Sequence, residues 1–184
     1  MMKSFCLLYF RDFQITHTMK KDILVQYDDI ADQLLKLVSS AGQEELNTIP
    51  FEGSWTAAQV VSHVTKSNQS IVQALNMPAK ITERRPDLRV EELKTIFLDF
   101  TTKLKSPDFI LPKKGIYNRE IMIADLEKSI DNLKEESGEV NLSEAILHPA
   151  FGDITKLELI HFVVYHTQRH IHQLKLILGV LENR

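Results

Sequence analysis

A chain of 184 residues, 43% hydrophobic and 26% charged, is long enough for one fully cored domain and has an ordinary globular composition. A formal net charge of −3, with lysines and arginines scattered rather than clustered, argues against a nucleic-acid partner. The single cysteine, Cys6, excludes an internal disulfide and a Cys-rich metal site, and fits a reducing, cytoplasmic setting.

No apolar run approaches the roughly 18 residues of a membrane span, so no membrane partner is expected. The apolar stretch Phe5 to Phe10 meets Arg11 and Asp12 with no small-residue cleavage site behind it, which argues against a signal peptide. Residues 1–18 are expected to be a poorly ordered N-terminal extension, and residues 19–184 a single helical domain. From about Lys20 to Leu46 the residues Ile23, Tyr27, Ile30, Leu34, Leu37 and Val38 recur at three- and four-residue steps, the period of an amphipathic helix. NTIPFEGSW, with Pro50 and Gly53, breaks it.

Thr56-Ala-Ala-Gln59 has the capping-box pattern and predicts a second helix, with a stripe of Val60, Val64, Ser67, Ile71 and Leu75. After a charged linker over 80–89, helices are predicted from Val90 to Lys105 and from about Asn118 to Glu136, the latter closed by Ser137-Gly138. A short turn from Ser143 to Leu147 and the string HPAFGD lead to the last helix, about Thr155 to Leu181. No alternating β-branched run predicts a strand. The expected fold is all-α, a four-helix bundle with short extra helical segments.

HFVVYHTQRHIHQLKLIL, residues 161–178, holds four of the seven histidines. A helix advances about 100° per residue, which divides them into two pairs. His166 and His170 share a face with Leu159, Val163, Leu174 and Ile177; His161 and His172 fall on the opposite side and are expected to face water. Tyr165 reads as a surface or interface residue. Two inward imidazoles at i and i+4 either hold a cation or are core groups satisfied by neighbours. A third, His63, lies at the edge of the second helix's apolar stripe, and three His ligands with an open position make a catalytic arrangement. A carboxylate-bridged di-iron bundle is not expected, nor is a zinc-protease site, a phosphate loop or a nucleophilic triad.

GSWTAAQVVSHV and HPAFGDITKLELIHFVVYHTQRHIHQLKLI resemble two blocks of the DinB-like (YfiT-like) four-helix metalloenzymes. The second block resembles that superfamily's signature, in which an HPxFG turn precedes a helix bearing H-x3-H and a following Gln. The resemblance implies metal ligands at His63, His166 and His170, a divalent Zn or Ni ion, and thiol transfer or hydrolysis, with a low-molecular-weight thiol as one expected small-molecule partner. Gln173 is a candidate to hydrogen-bond a ligand imidazole, and His148 a candidate for the site rim or a cap of the turn. Trp55 reads as a core anchor, and Asp153 and Thr155 as N-caps. The rival reading is a non-catalytic, stress-associated or small-ligand-binding bundle with structural or vestigial histidines, and a homodimer is the expected assembly.

Overall fold

The structure is a computed structural model that describes residues 2–183, with side chains from Thr18 onward. The expected extension over 1–18 therefore falls almost entirely outside the described side chains. Among the described residues six α-helices occur: α1 (Met2–Ser40), α2 (Gln43–Asn47), α3 (Ala57–Leu75), α4 (Val90–Leu98), α5 (Arg119–Glu139) and α6 (Lys156–Glu182). The four long ones form the bundle, with α3 against α5 and α6, and α1 against α5 and α6. Short α4 lies on α6. Among the described residues no helix is long and apolar enough to cross a membrane.

The periodic stripes read from the sequence are the core. Ile23, Tyr27, Ile30, Leu34 and Val38 of α1 are buried, as are Val60, Val64, Ser67, Ile71 and Leu75 of α3. Each large aliphatic side chain removed from water in this way contributes about 1.5–3 kcal/mol. The capping signals also act as read. Gln59 N–H donates to Thr56 Oγ1 and Thr56 N–H to Gln59 Oε1, at 3.2 and 3.0 Å. Thr155 caps α6 through the same reciprocal pair with Glu158. Asn118 caps α5.

Four boundaries differ from expectation, the first being the start of α1, at Met2 rather than about Lys20. The first helix stops at Ser40, because Gly42 is extended and starts the separate turn α2. Helix α5 runs through Ser137 and Gly138 to Glu139. Helix α4 ends at Leu98 rather than Lys105. There Asp99 accepts hydrogen bonds from Thr101 N–H and from the Thr101 and Thr102 hydroxyls, a local turn that competes with further helix.

The larger correction is a small antiparallel sheet in the order β1-β2-β3, formed by β1 (Lys80–Ile81), β2 (Glu144–His148) and β3 (Gly152–Thr155). Lys80 faces Ala145, and His148 faces Gly152 across a tight hairpin. Gly152 has φ of 66°, the left-handed conformation such short loops require. Buried Ile146 and Ile154 pair across the strands, which seats the sheet on the base of α6.

A buried carboxylate ties this sheet to the linker before α4. The Glu158 side chain is fully buried and accepts both Nη groups of Arg84, at 2.6 and 2.7 Å. The backbone N–H groups of Arg89 and Thr155 complete its partners. Burial alone pushes this carboxyl's pKa up; the hydrogen bonds from Arg84, Thr155 and Arg89 outweigh it and hold the group below its ordinary value. Arg89 in turn donates to the carbonyls of Phe151 and Asp153 in the hairpin. Glu158→Ala should destabilise the fold by about 3 kcal/mol, since it strands a bidentate arginine and removes half of a capping box. A urea denaturation midpoint unchanged from wild type would remove Glu158 as the tie.

Candidate metal centre

Helix α3 carries His63 two turns after its Thr56 cap, and α6 carries His166 and His170 one turn apart. The crossing of α3 over α6 brings the three rings together. His63 Nε2 and His170 Nε2 each lie 3.1 Å from His166 Nε2. All three histidines are buried, and their ligating atoms lie within 4.8 Å of one another.

The outer nitrogens fix what the inner ones can do. His63 Nδ1 lies 3.1 Å from the carbonyl of Ile110, in a 3-10 turn over Asp108–Ile110. A carbonyl only accepts, so Nδ1 carries the proton and Nε2 the lone pair. His170 Nδ1 donates in the same way to Gln173 Oε1 at 2.9 Å, so its Nε2 is also a lone pair. Both lone pairs point at His166 Nε2, which can donate to only one of them. The donor set is thus electron-rich and short of protons. Nitrogens about 3 Å apart also suit one ion bound at about 2.0–2.1 Å, so a divalent cation fits these residues.

Electrostatics favour the neutral, ligating form. Burial is the main cause that lowers the pKa of His63, and burial with the neighbouring His170 and His63 holds His166 well below its ordinary value. His170 is lowered to about 3, by burial first and then by His63. The rings around them are apolar. Trp55 lies 5.3 Å from His63, and Phe162 and Phe97 lie 5.1 and 6.1 Å from His166.

The trio opens into a cavity of about 730 Å³, a size that suits a small molecule. One wall is the irregular segment after α4, held by Arg169. Its guanidinium donates to the carbonyls of Phe97 and Asp99, at 3.3 and 2.7 Å, and to that of Thr102. These acceptors include carbonyls left over at the end of α4, so one arginine both finishes that helix and positions Phe97 and Phe100.

Across residues 26–174, a span that contains all three histidines, the chain matches the family model of the DinB superfamily. The chain belongs to the DinB superfamily. It is 27% identical over 150 residues to the "Uncharacterized protein YuaE" of Bacillus subtilis, covering 76% of this chain and 86% of that one. It is 24% identical over 156 residues to the "Putative metal-dependent hydrolase OB0413" of Oceanobacillus iheyensis, covering 85% of this chain and 83% of the relative. A crystal structure of TT2238, a four-helix bundle protein, superposes with a TM-score of 0.57 at 20% identity, over 85% of this chain and 98% of that one. That likeness speaks to the four-helix-bundle fold alone.

The other sequence candidates divide. Gln173 bonds His170, and His148 both caps its hairpin and lines the cavity. Thr155 is an N-cap, whereas Asp153 instead pairs with Lys80 and Arg84. Trp55 packs on the core and also lines the cavity. His172 is exposed but stacks on Phe100, centroids 4.3 Å apart. His161 is half-buried rather than open to water, and Tyr165 is buried beside it, its hydroxyl 3.4 Å from His161 Nδ1. Excluding a carboxylate-bridged site overlooked one Glu-x-x-His spacing, Glu158 and His161; Glu158 faces Arg84, so it supplies no ligand to the trio. Sequence reasoning missed Arg169 and Ile110. Arg169 carried a usable signal, an arginine next to an inward histidine, while a backbone carbonyl carries none.

The lowered histidine values set a pH dependence. Below about pH 6.5 the unfolded chain binds protons that the folded trio refuses, so stability falls as pH drops from 6.5 towards 3. Metal-free protein should lose urea stability between pH 6.5 and 5, above the range where carboxylates such as Asp87 titrate. His170→Leu should flatten that slope, and a wild-type midpoint constant from pH 7 to 5 would contradict the assignment.

Proposed function

We propose that this protein is a mononuclear divalent-metal enzyme that acts on a small molecule by hydrolysis or by transfer of a low-molecular-weight thiol. One observation carries the reading: three buried imidazole Nε2 atoms, two of them fixed as lone pairs by their outer hydrogen bonds, converge on one point. His63, His166 and His170 would hold the ion. Zinc or nickel matches neutral imidazole donors, and three protein ligands leave coordination open for a reactant. When bound, the ion supplies Lewis acidity and a lowered pKa for a water or thiol at neutral pH.

The protein's own groups account for the rest. The Ile110 carbonyl and Gln173 hold two rings in the ligating tautomer. Trp55, Phe97 and Phe162 limit water at the trio, which strengthens every electrostatic interaction there. The adjoining cavity gives a small substrate room beside the ligands. The name of the Oceanobacillus relative supports the hydrolytic form of the reading.

Protein purified without an affinity tag should contain about one divalent ion per chain, and His166→Ala with an unchanged circular dichroism spectrum should lose it. A chelator should lower the melting temperature by about 5–10 °C, since a site held near 100-fold above its Kd contributes about 2.7 kcal/mol. Equal metal content in the two proteins would leave the histidines structural and favour a non-catalytic, ligand-binding bundle.

A further inference from the structure

Besides the trio, the cavity holds a polar group that the metal reading does not use. His148 is buried, 7% exposed, and lines the cavity from the end of β2. The backbone N–H of Ala150 donates to its Nδ1 at 3.1 Å. Nδ1 is therefore a lone pair, and the proton of the neutral ring sits on Nε2. Burial favours that neutral ring, by lowering its pKa. Among the described residues Nε2–H has no protein acceptor and, unlike the Tyr27 hydroxyl, is not sealed within the protein, and the residue lines the cavity. The tight hairpin thus aims one unpaired donor into the space beside the histidine trio.

The walls specify the rest of the ligand. His148 packs on Phe151 at 5.0 Å, Phe151 on Phe162 at 4.8 Å, and Phe162 on His166 at 5.1 Å, so tilted rings run without a gap from the donor to the trio. Phe97 widens this wall, 4.8 Å from Phe162. Such surfaces favour flat, polarisable groups that stack or meet them edge-on. Charge is kept away from the interior. Lys103, Lys105 and Asp108 are exposed at the rim, and the Arg169 guanidinium is committed to three carbonyls. At the His148 end, away from the trio, an ionic group would lose its hydration with no charged side chain beside it, whereas a neutral acceptor would satisfy His148.

We propose that the cavity admits a flat aromatic or unsaturated neutral molecule bearing a carbonyl-type acceptor, and that His148 Nε2–H binds that acceptor. This names a substrate class for the proposed enzyme and rests on the cavity being its substrate site. His148 is then a specificity residue: it orients the carbonyl compound along the ring wall, with the reacting end beside the trio.

The test compares acetophenone with α-methylstyrene, which has the same shape but CH2 in place of the carbonyl oxygen. Binding to the full-length protein is followed by NMR titration, with metal content measured on the same samples. Wild type should bind acetophenone about fivefold or more tightly than α-methylstyrene, the worth of one neutral hydrogen bond, and should bind acetone far more weakly than either. His148→Phe should erase the preference while α-methylstyrene binding persists, and His148→Gln, which restores an N–H at similar reach, should recover part of it. Equal affinities in wild type, or no binding of either probe, would overturn the proposal without recourse to any variant. A preference that survives His148→Phe, or one lost instead on Ser67→Ala, which removes a hydroxyl that also lines the cavity, would place the acceptor elsewhere and overturn it too. Stoichiometric metal without the preference rejects this inference and leaves the metal reading standing; the preference without metal does the reverse.

Discussion

Two lone pairs face a third nitrogen across 3.1 Å in a site lined by rings, and that crowding is the constraint the surrounding structure serves. Left to themselves, the imidazoles of His63 and His170 would rotate or change tautomer to relieve it. The Ile110 carbonyl and the Gln173 amide prevent this by taking the outer protons, and burial prevents relief by protonation. The arrangement tolerates little slippage between α3 and α6, since a displacement of one residue rotates a side chain by about 100°. Capping boxes at Thr56 and Thr155 fix where each of these two helices begins, so the caps set the register of the histidines as well as adding stability.

Regular and irregular parts of the chain divide the work. The helices place the nitrogens, while much of the cavity wall comes from segments without repeating structure: the stretch after α4, the 3-10 turn and the loop of the β2–β3 hairpin. Such segments would be mobile if they relied on their own contacts, because their backbone groups lack ladder partners. Arginines fasten them. Arg169 gathers the carbonyls after α4, and Arg84 and Arg89 bind the linker and the hairpin around Glu158. In each case the anchor on α6 lies within a few residues of the helix start or of a trio histidine, so walls and histidines share one frame.

How much of this was legible in the sequence follows from which interactions are periodic. The bundle helices and their buried faces were readable, because apolar spacing reports a 3.6-residue period directly. The inward placement of His166 and His170 was readable for the same reason, and so was the capping of α3 by Thr56. The meeting of His63 with that pair depends on a crossing between helices, which no single period encodes; the resemblance of GSWTAAQVVSHV supplied what geometry could not. The sheet was missed because its strands are two to five residues long, and β2 (Glu144–His148) has Ile146 as its single β-branched residue. Burial of His161 and Tyr165 was missed because α4 covers that side of α6, and a short helix lying on a longer one has no signature in the longer one's sequence.

Trp55 is the chain's one tryptophan, and its ring lies 5.3 Å from His63. Excited where tyrosine does not absorb, the molecule therefore emits from one point, beside the three histidines and on the wall of the cavity. Open-shell ions, which quench indole emission by electron or energy transfer, and closed-shell ions, which do not, leave different optical traces at that distance. The packing that shields the trio from water thus also gives the protein a built-in lamp at the one place where its chemistry is concentrated.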